Sequence, residues 1–343
     1  MDQNDTPAYG AEALAADLDL IESFARSYRS YVGSRIVGCS DIVERLFLAL
    51  LCEGNVLLEG APGLGKTSLA KAWAGFLGLD FKRVQFTPDL MPLDIIGSNV
   101  LEPDAEGGRS WRFFKGPIFA NVVLGDEINR ATPKTQSAFL EAMEEKRVTF
   151  LGESRELPSP FFVVATQNPI ELEGTYPLPE AQVDRFLMRL FFSMPDFAEL
   201  RDILDASESI PSGVPAGAKA TAACLAAHAR AAKALVVPDD VKNFVVRLVV
   251  QTQPEHTSVE AVAKYVRYGA SPRCALGLLK AAKARAIVAG RPSVSFDDVE
   301  ALFADLANHR LILDFEAETD GVGVGEILAA VLAAVRREYR GAA

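Results

Sequence analysis

The stretch Asn55-Val56-Leu57-Leu58-Glu59-Gly60-Ala61-Pro62-Gly63-Leu64-Gly65-Lys66-Thr67 decides the fold. Asn55 to Glu59 is a short apolar run of the kind that forms a buried strand. The next eight residues fit the pattern G-x-x-x-x-G-K-[ST], and helical spacing continues to Leu77. In that strand–loop–helix setting the glycines allow a tight turn whose backbone N–H groups point inward, so that a nest of donors and a helix N-terminus surround a β-phosphate. Gly60, Ala61, Pro62, Gly63, Leu64, Gly65, Lys66, Thr67 and Ser68 are therefore candidate nucleotide-binding residues. Lys66 is expected to bridge the β- and γ-phosphates, and the Thr67 hydroxyl to ligate Mg²⁺.

Working outward, further short apolar runs at Arg83 to Phe86, Asn121 to Leu124, Phe161 to Thr166 and Leu187 to Phe192 read as buried strands. Helical stretches such as Pro133 to Glu145 lie between them. Strands alternating with helices predict an α/β fold with a parallel sheet covered on both faces. The run from Asn121 ends in Asp126-Glu127, which supplies what hydrolysis adds to binding: a metal carboxylate in Asp126 and a general base for water in Glu127. Strand alternation predicts that Glu127 points the other way from Asp126. Beyond Ser193-Met194-Pro195-Asp196 the chain becomes rich in alanine and reads as successive helices. The expected organisation is an N-terminal tail over 1–15, an αβα core over 16–195 and a smaller all-helical domain over 196–343. Two stretches, Pro92 to Arg112 and Lys146 to Leu157, read as hairpins.

Composition excludes several classes. Of 343 residues, 49% are hydrophobic and 24% charged, as in ordinary globular proteins. The net charge of −11 repels phosphate backbones and anionic lipid, so it argues against nucleic acid as the main partner. No apolar run approaches the roughly 20 residues of a membrane span, and the polar start lacks the features of a secretory signal, which points to the cytoplasm. Four scattered cysteines and three separate histidines indicate neither a zinc site nor a disulfide framework.

The segment Asp126-Glu127-Ile128-Asn129-Arg130-Ala131, followed by Lys134-Thr135-Gln136-Ser137 and Glu141-Ala142-Met143, resembles the MoxR subfamily of the AAA+ ATPases, which are P-loop NTPases. Gln85 to Leu90, Lys115 to Phe119, Ala165 to Pro169 and Gly174 to Gln182 carry the same resemblance, which covers roughly residues 15 to 340. It implies an αβα ATPase core with a helical lid and a homo-oligomeric ring of about six subunits, with ATP and Mg²⁺ held between neighbours. Position by position, Asn168 corresponds to the polar sensor near the γ-phosphate and Arg185 to the arginine finger that completes the neighbour's site. Arg189 is the competing finger, one turn on if the segment is helical. Arg273 corresponds to the second sensor, which couples nucleotide to the lid, and Ile36-Val37-Gly38 to the segment against adenine. Arg130 either senses nucleotide in trans or caps carboxylates. One departure is Gly125, where the subfamily often has alanine; added strand freedom there predicts slower chemistry. The implied function is chaperone-like remodelling of a protein client with a von Willebrand factor A domain partner. A chelatase subunit and, more remotely, a nucleic-acid motor are the alternatives.

Overall fold

The computed structural model describes residues 10–103, 108–168, 174–207 and 211–340. Most of the expected N-terminal tail, residues 104–107 of the first expected hairpin stretch and Pro169 of the Ala165 to Pro169 stretch lie outside them. The chain divides into two compact units, one of Tyr31–Ser212 and the other of Met1–Ser30 with Gly213–Ala343.

In chain order the elements leading to the first unit's centre are helix α1 (Ala11–Gly33), α2 (Ser40–Leu51), strand β1 (Val56–Gly60), α3 (Lys66–Leu77) and β2 (Phe81–Gln85). There follow α4 (Pro92–Ile96), β3 (Gly97–Pro103), β4 (Arg109–Lys115), β5 (Val122–Asp126), a 3-10 turn over Ile128–Arg130 and α5 (Pro133–Glu145). The unit continues through β6 (Arg147–Phe150), β7 (Glu153–Glu156), β8 (Phe162–Gln167), α6 (Glu180–Val183), β9 (Met188–Phe192) and α7 (Phe197–Ser207).

Five strands form a parallel sheet in the order β2-β5-β8-β1-β9. All of β5 is buried, as a central strand covered on both faces must be. Helix α3 follows from its sequence: Leu69, Ala70, Trp73, Ala74 and Leu77 recur at helical spacing and are all buried, and the left-handed Gly78 ends it. The ring of Trp73 meets Phe162 of β8 at 4.5 Å between centroids. Phe86 and Phe139 stand edge to face at 5.2 Å beside Gly125, where an added Cβ would come within 2.9 Å of the Phe139 ring. Gly125 thus makes room for that aromatic pair, and its lack of a side chain is taken up by packing instead of strand freedom.

Both predicted hairpins form, β3 with β4 and β6 with β7, each antiparallel. They meet through Phe113, which packs on Phe150 and lies under the Arg155 guanidinium.

The second unit is helical: α8 (Gly217–Ala234), α9 (Asp239–Gln251), α10 (Glu260–Tyr265), α11 (Pro272–Val288), α12 (Phe296–Ala307), α13 (Phe315–Asp320) and α14 (Val324–Arg340). It departs from the all-helical expectation by one small ladder, β10 (Val266–Tyr268) against β11 (Ile312–Leu313). The expected boundaries also differ from those observed. Helix α1 begins at Ala11, inside the expected tail, and most of it belongs with the helical unit, where Arg230 of α8 grips Asp17 at 2.6 and 2.9 Å. Helix α7 belongs with the sheet unit, so the break falls after Ser212 and not near 195.

The helical unit's one fully buried carboxylate among the described residues is Asp298. It accepts hydrogen bonds from the Ser295 backbone and hydroxyl, both at 2.9 Å, and from Arg285 and Arg291. Burial pushes its pKa up, but the Arg291, Ser295 and Arg285 hydrogen bonds outweigh that and hold it below the usual aspartate value. Its stabilisation is therefore complete above the ordinary aspartate range and fades only as pH falls through the lowered value. Asp298→Asn is expected to cost about 3–5 kcal/mol in urea unfolding. That loss should stay constant between about pH 5 and pH 8, because the carboxylate is charged throughout; a gap that closes within this range would contradict the assignment.

Candidate functional site

The site begins where β1 runs into α3. Gly63 and Gly65 have φ of 83° and 90°, the left-handed region that favours glycine, and they turn the chain back so that α3 starts at Lys66. The first N–H groups of a helix have no intrahelical partner. Here that first turn lines an open cavity of about 340 Å³. Pro62, Gly63, Gly65, Lys66, Thr67 and Ser68 line it from the loop side, and Asp126, Glu127 and Asn168 from the strand ends. Gly60 ends β1 and Ala61 and Leu64 belong to the loop, and none of the three lines the cavity.

Lys66 is 9% exposed and donates to the Gly60 and Gln167 carbonyls, so its ammonium lies between the ends of β1 and β8. Burial holds its pKa below the ordinary lysine value, and Asp126, Glu127 and Glu59 offset only part of that lowering. A cation held among carboxylates and backbone carbonyls fits a site that receives a polyphosphate.

Asp126 ends β5 with both oxygens engaged. Oδ1 accepts from the Thr166 hydroxyl at 2.7 Å, and Oδ2 accepts from the Thr67 hydroxyl at 3.3 Å and from Arg83 Nε at 2.9 Å and Nη2 at 2.7 Å. Glu127 has φ 57°, a left-handed conformation that glutamate rarely adopts. This kink ends the strand and overrides alternation, so the expectation that Glu127 points away from Asp126 is corrected: both carboxylates line the same cavity. The Thr166 hydroxyl ties the two together by accepting from the Glu127 N–H at 2.9 Å while donating to Asp126. Glu127 Oε2 in turn accepts from Gln85 Nε2 and from Arg130 Nη1, each at 2.9 Å. Arg130 therefore caps the Glu127 carboxylate within its own chain.

Asn168 follows β8, is buried and faces this cavity. Its carbonyl lies 3.4 Å from Asn129 Nδ2. The other motif residues are ties in the scaffold. Buried Gln136 donates to the Ile128 and Tyr176 carbonyls, and Thr135 donates to the Leu90 carbonyl.

Five other expected residues do not line this cavity. Arg185 is in the turn after α6 and pairs with Glu144 of α5 at 2.8 Å. Arg189 is on strand β9 and not on a helix, and its pair with Glu59 at 2.6 Å ties it within its own chain. Gly38 lines a separate cavity of about 230 Å³ with Phe191, Met194 and Glu199, and Val37 precedes it. Arg273 is in the first turn of α11, in the helical unit.

Reading the sequence alone missed Arg83, Gln85 and Thr166. The available signal was parallel pairing, since β2 sets Gln85 beside Asp126, and alternation puts Arg83 on the same face as Gln85.

Hard oxygen donors suit Mg²⁺, and Thr67 with Asp126 provides them. Among the described residues no group of three or more His, Cys, Asp or Glu could hold a metal ion.

A family model described as "ATPase family associated with various cellular activities (AAA)" matches residues 55–188, and one described as "AAA lid domain" matches 259–331. A crystal structure of a protein assigned as an ATPase from Cytophaga hutchinsonii superposes with a TM-score of 0.84 at 36% identity, covering 94% of this chain and 98% of that one. Protein MoxR of Methylorubrum extorquens is 31% identical over 84% of this chain and 88% of its own length. Chaperone MoxR1 of Mycobacterium tuberculosis is 40% identical over 97% of this chain and 86% of its own. With a P-loop built onto a parallel sheet, a helical second unit and relatives that match over most of their length, the chain belongs to the MoxR family of AAA+ ATPases.

Proposed function

We propose that this chain hydrolyses ATP with Mg²⁺ in the cavity above β1, β5 and β8, and that it does so as a ring of about six subunits that remodels a protein client. The observation that carries the reading is the convergence of Lys66, Thr67, Asp126, Glu127 and Asn168 on one cavity from the start of α3 and the ends of β5 and β8. Thr67 and Asp126 would hold the metal, which when bound neutralises charge on the β- and γ-phosphates. Lys66 binds the phosphates, Glu127 takes the proton of the attacking water, and Asn168 orients that water. Gln85 and Arg130 hold the Glu127 carboxylate and so fix where the base stands.

Arg185 is the residue we assign to the neighbouring subunit's site, and Arg273 the one we assign to coupling nucleotide with the lid. Arg185 and Glu144 are 31% and 34% exposed, and a pair that exposed is worth about 0–1 kcal/mol. An arginine finger supplies roughly 10³–10⁵ in kcat. The pair with Glu144 is therefore no barrier to that role. Val37 and Gly38 are the residues we assign to adenine.

The chaperone reading is supported by the name of the M. tuberculosis relative. It is also supported by Trp111 and Leu151, which are 70% and 78% exposed on the two hairpins and offer apolar surface to a client. A von Willebrand factor A domain partner and a cytoplasmic location belong to the same proposal. No helix among the described residues is long and apolar enough to cross a membrane.

Glu127→Gln should bind Mg·ATP as the unaltered protein does and lose turnover by roughly 10²–10⁴-fold; unchanged phosphate release would remove Glu127 as the base. Arg185→Ala should bind nucleotide normally and hydrolyse about 10³-fold more slowly. Mixed with Lys66→Ala subunits, it should recover activity, since each variant supplies what the other lacks at a shared site. Mixtures no more active than their parts would leave Arg185 as a partner of Glu144 only.

A further inference from the structure

Arg83 has no place in the chemistry described so far, yet it lines the same cavity and makes the closest contacts of any cation to Asp126 among the described residues. Two of its nitrogens, Nε and Nη2, converge on Oδ2, the same oxygen that faces the Thr67 hydroxyl. An ionised carboxylate has about four lone-pair positions on its two oxygens. Three donors already crowd Oδ2, and Thr166 takes Oδ1. The oxygen that would hold a divalent cation, directly or through a bound water, is thus occupied by a guanidinium.

We propose that Arg83 is a resident counter-ion at the metal position, competing with the divalent cation for Asp126 Oδ2 and leaving it when nucleotide and metal load. The proposal rests on the reading of Thr67 and Asp126 as metal ligands. Arg83 can leave at little structural cost: it sits on the edge strand β2 and its side chain is 46% exposed, against 10% for Asp126. Its departure is also felt at the base. Arg83 Nη2 donates to Gln85 Oε1, which orients the Gln85 amide so that Nε2 faces Glu127. With Arg83 in place both carboxylates are neutralised and held by the chain itself. With Arg83 gone, Asp126 is open to the cation and Gln85 loses the contact that fixes its hold on Glu127.

The test is the affinity of the full chain for Mn²⁺ in the presence of a non-hydrolysable ATP analogue, read from the paramagnetic resonance signal of free Mn²⁺. Arg83→Gln should bind Mn²⁺ about tenfold more tightly, the factor expected when a unit charge a few ångströms from a divalent ion is removed in a solvated cleft. Arg83→Lys, which keeps the charge, should stay within about threefold of the unaltered protein on the same Coulomb argument. Circular dichroism of both variants checks the fold. If Arg83→Gln binds Mn²⁺ equally or more weakly than the unaltered protein, Arg83 supports Asp126 instead of competing for it, and the inference fails while the metal site stands. If the unaltered protein binds no Mn²⁺ with the analogue, the metal site fails and the inference with it.

Discussion

The carboxylate of Asp126 is the point on which the rest of the structure depends. It is nearly buried at the end of the interior strand β5, where a lone charge would be costly. The fold meets that cost from three sides: Thr166 from β8, Arg83 from β2, and Thr67 from the helix that follows the phosphate loop. Those partners require β2, β5 and β8 to be adjacent and parallel in their observed register, and they require the loop after β1 to deliver α3 over the strand ends. The same requirement explains the left-handed Glu127. A residue that continued the strand would send the second carboxylate to the far face, whereas the kink keeps both acids at one cavity, anchored through the Thr166 hydroxyl.

Much of this was legible in the sequence because it depended on local signals. The strand before Gly60, the glycine spacing of the loop and the helix over Pro133–Glu145 each follow from a short window, and the structure places them within a few residues of expectation. The two hairpins were legible for the same reason, and the second turns at Leu151-Gly152, with φ of 50° and 81°. What the sequence did not show depends on which distant segments become neighbours. Arg83 and Gln85 look like surface residues of an exposed edge strand, and only the pairing of β2 with β5 turns them toward the acids. The break between units was misplaced because α7 is amphipathic and resembles the helices after it. Likewise, the tie of α1 to α8 through Asp17 and Arg230 joins residues more than two hundred positions apart.

Several motif residues that carry the family resemblance do not touch the cavity. Gln136 and Thr135 spend their polar groups on backbone carbonyls, fixing the segments at Ile128, Tyr176 and Leu90. Through these bonds the two side chains tie segments that no long helix or strand holds, although Gln136 Oε1 is itself buried with no hydrogen-bond partner. They set the frame in which Asn168 and Glu127 stand. The arginines divide in a similar way: Arg83, Arg130 and Arg189 are each engaged with an acid around the site in their own chain, while Arg185 lies apart on a weak, partly exposed pair.

In the function proposed here, ATP hydrolysis is a property of assembled subunits. The most direct measurement is the steady-state ATPase rate per chain as a function of chain concentration, with particle mass followed in the presence and absence of Mg·ATP. If hydrolysis needs assembled subunits, the rate per chain rises with concentration in step with the appearance of a ring-sized particle. A rate per chain that stays flat while the protein remains a monomer would contradict it.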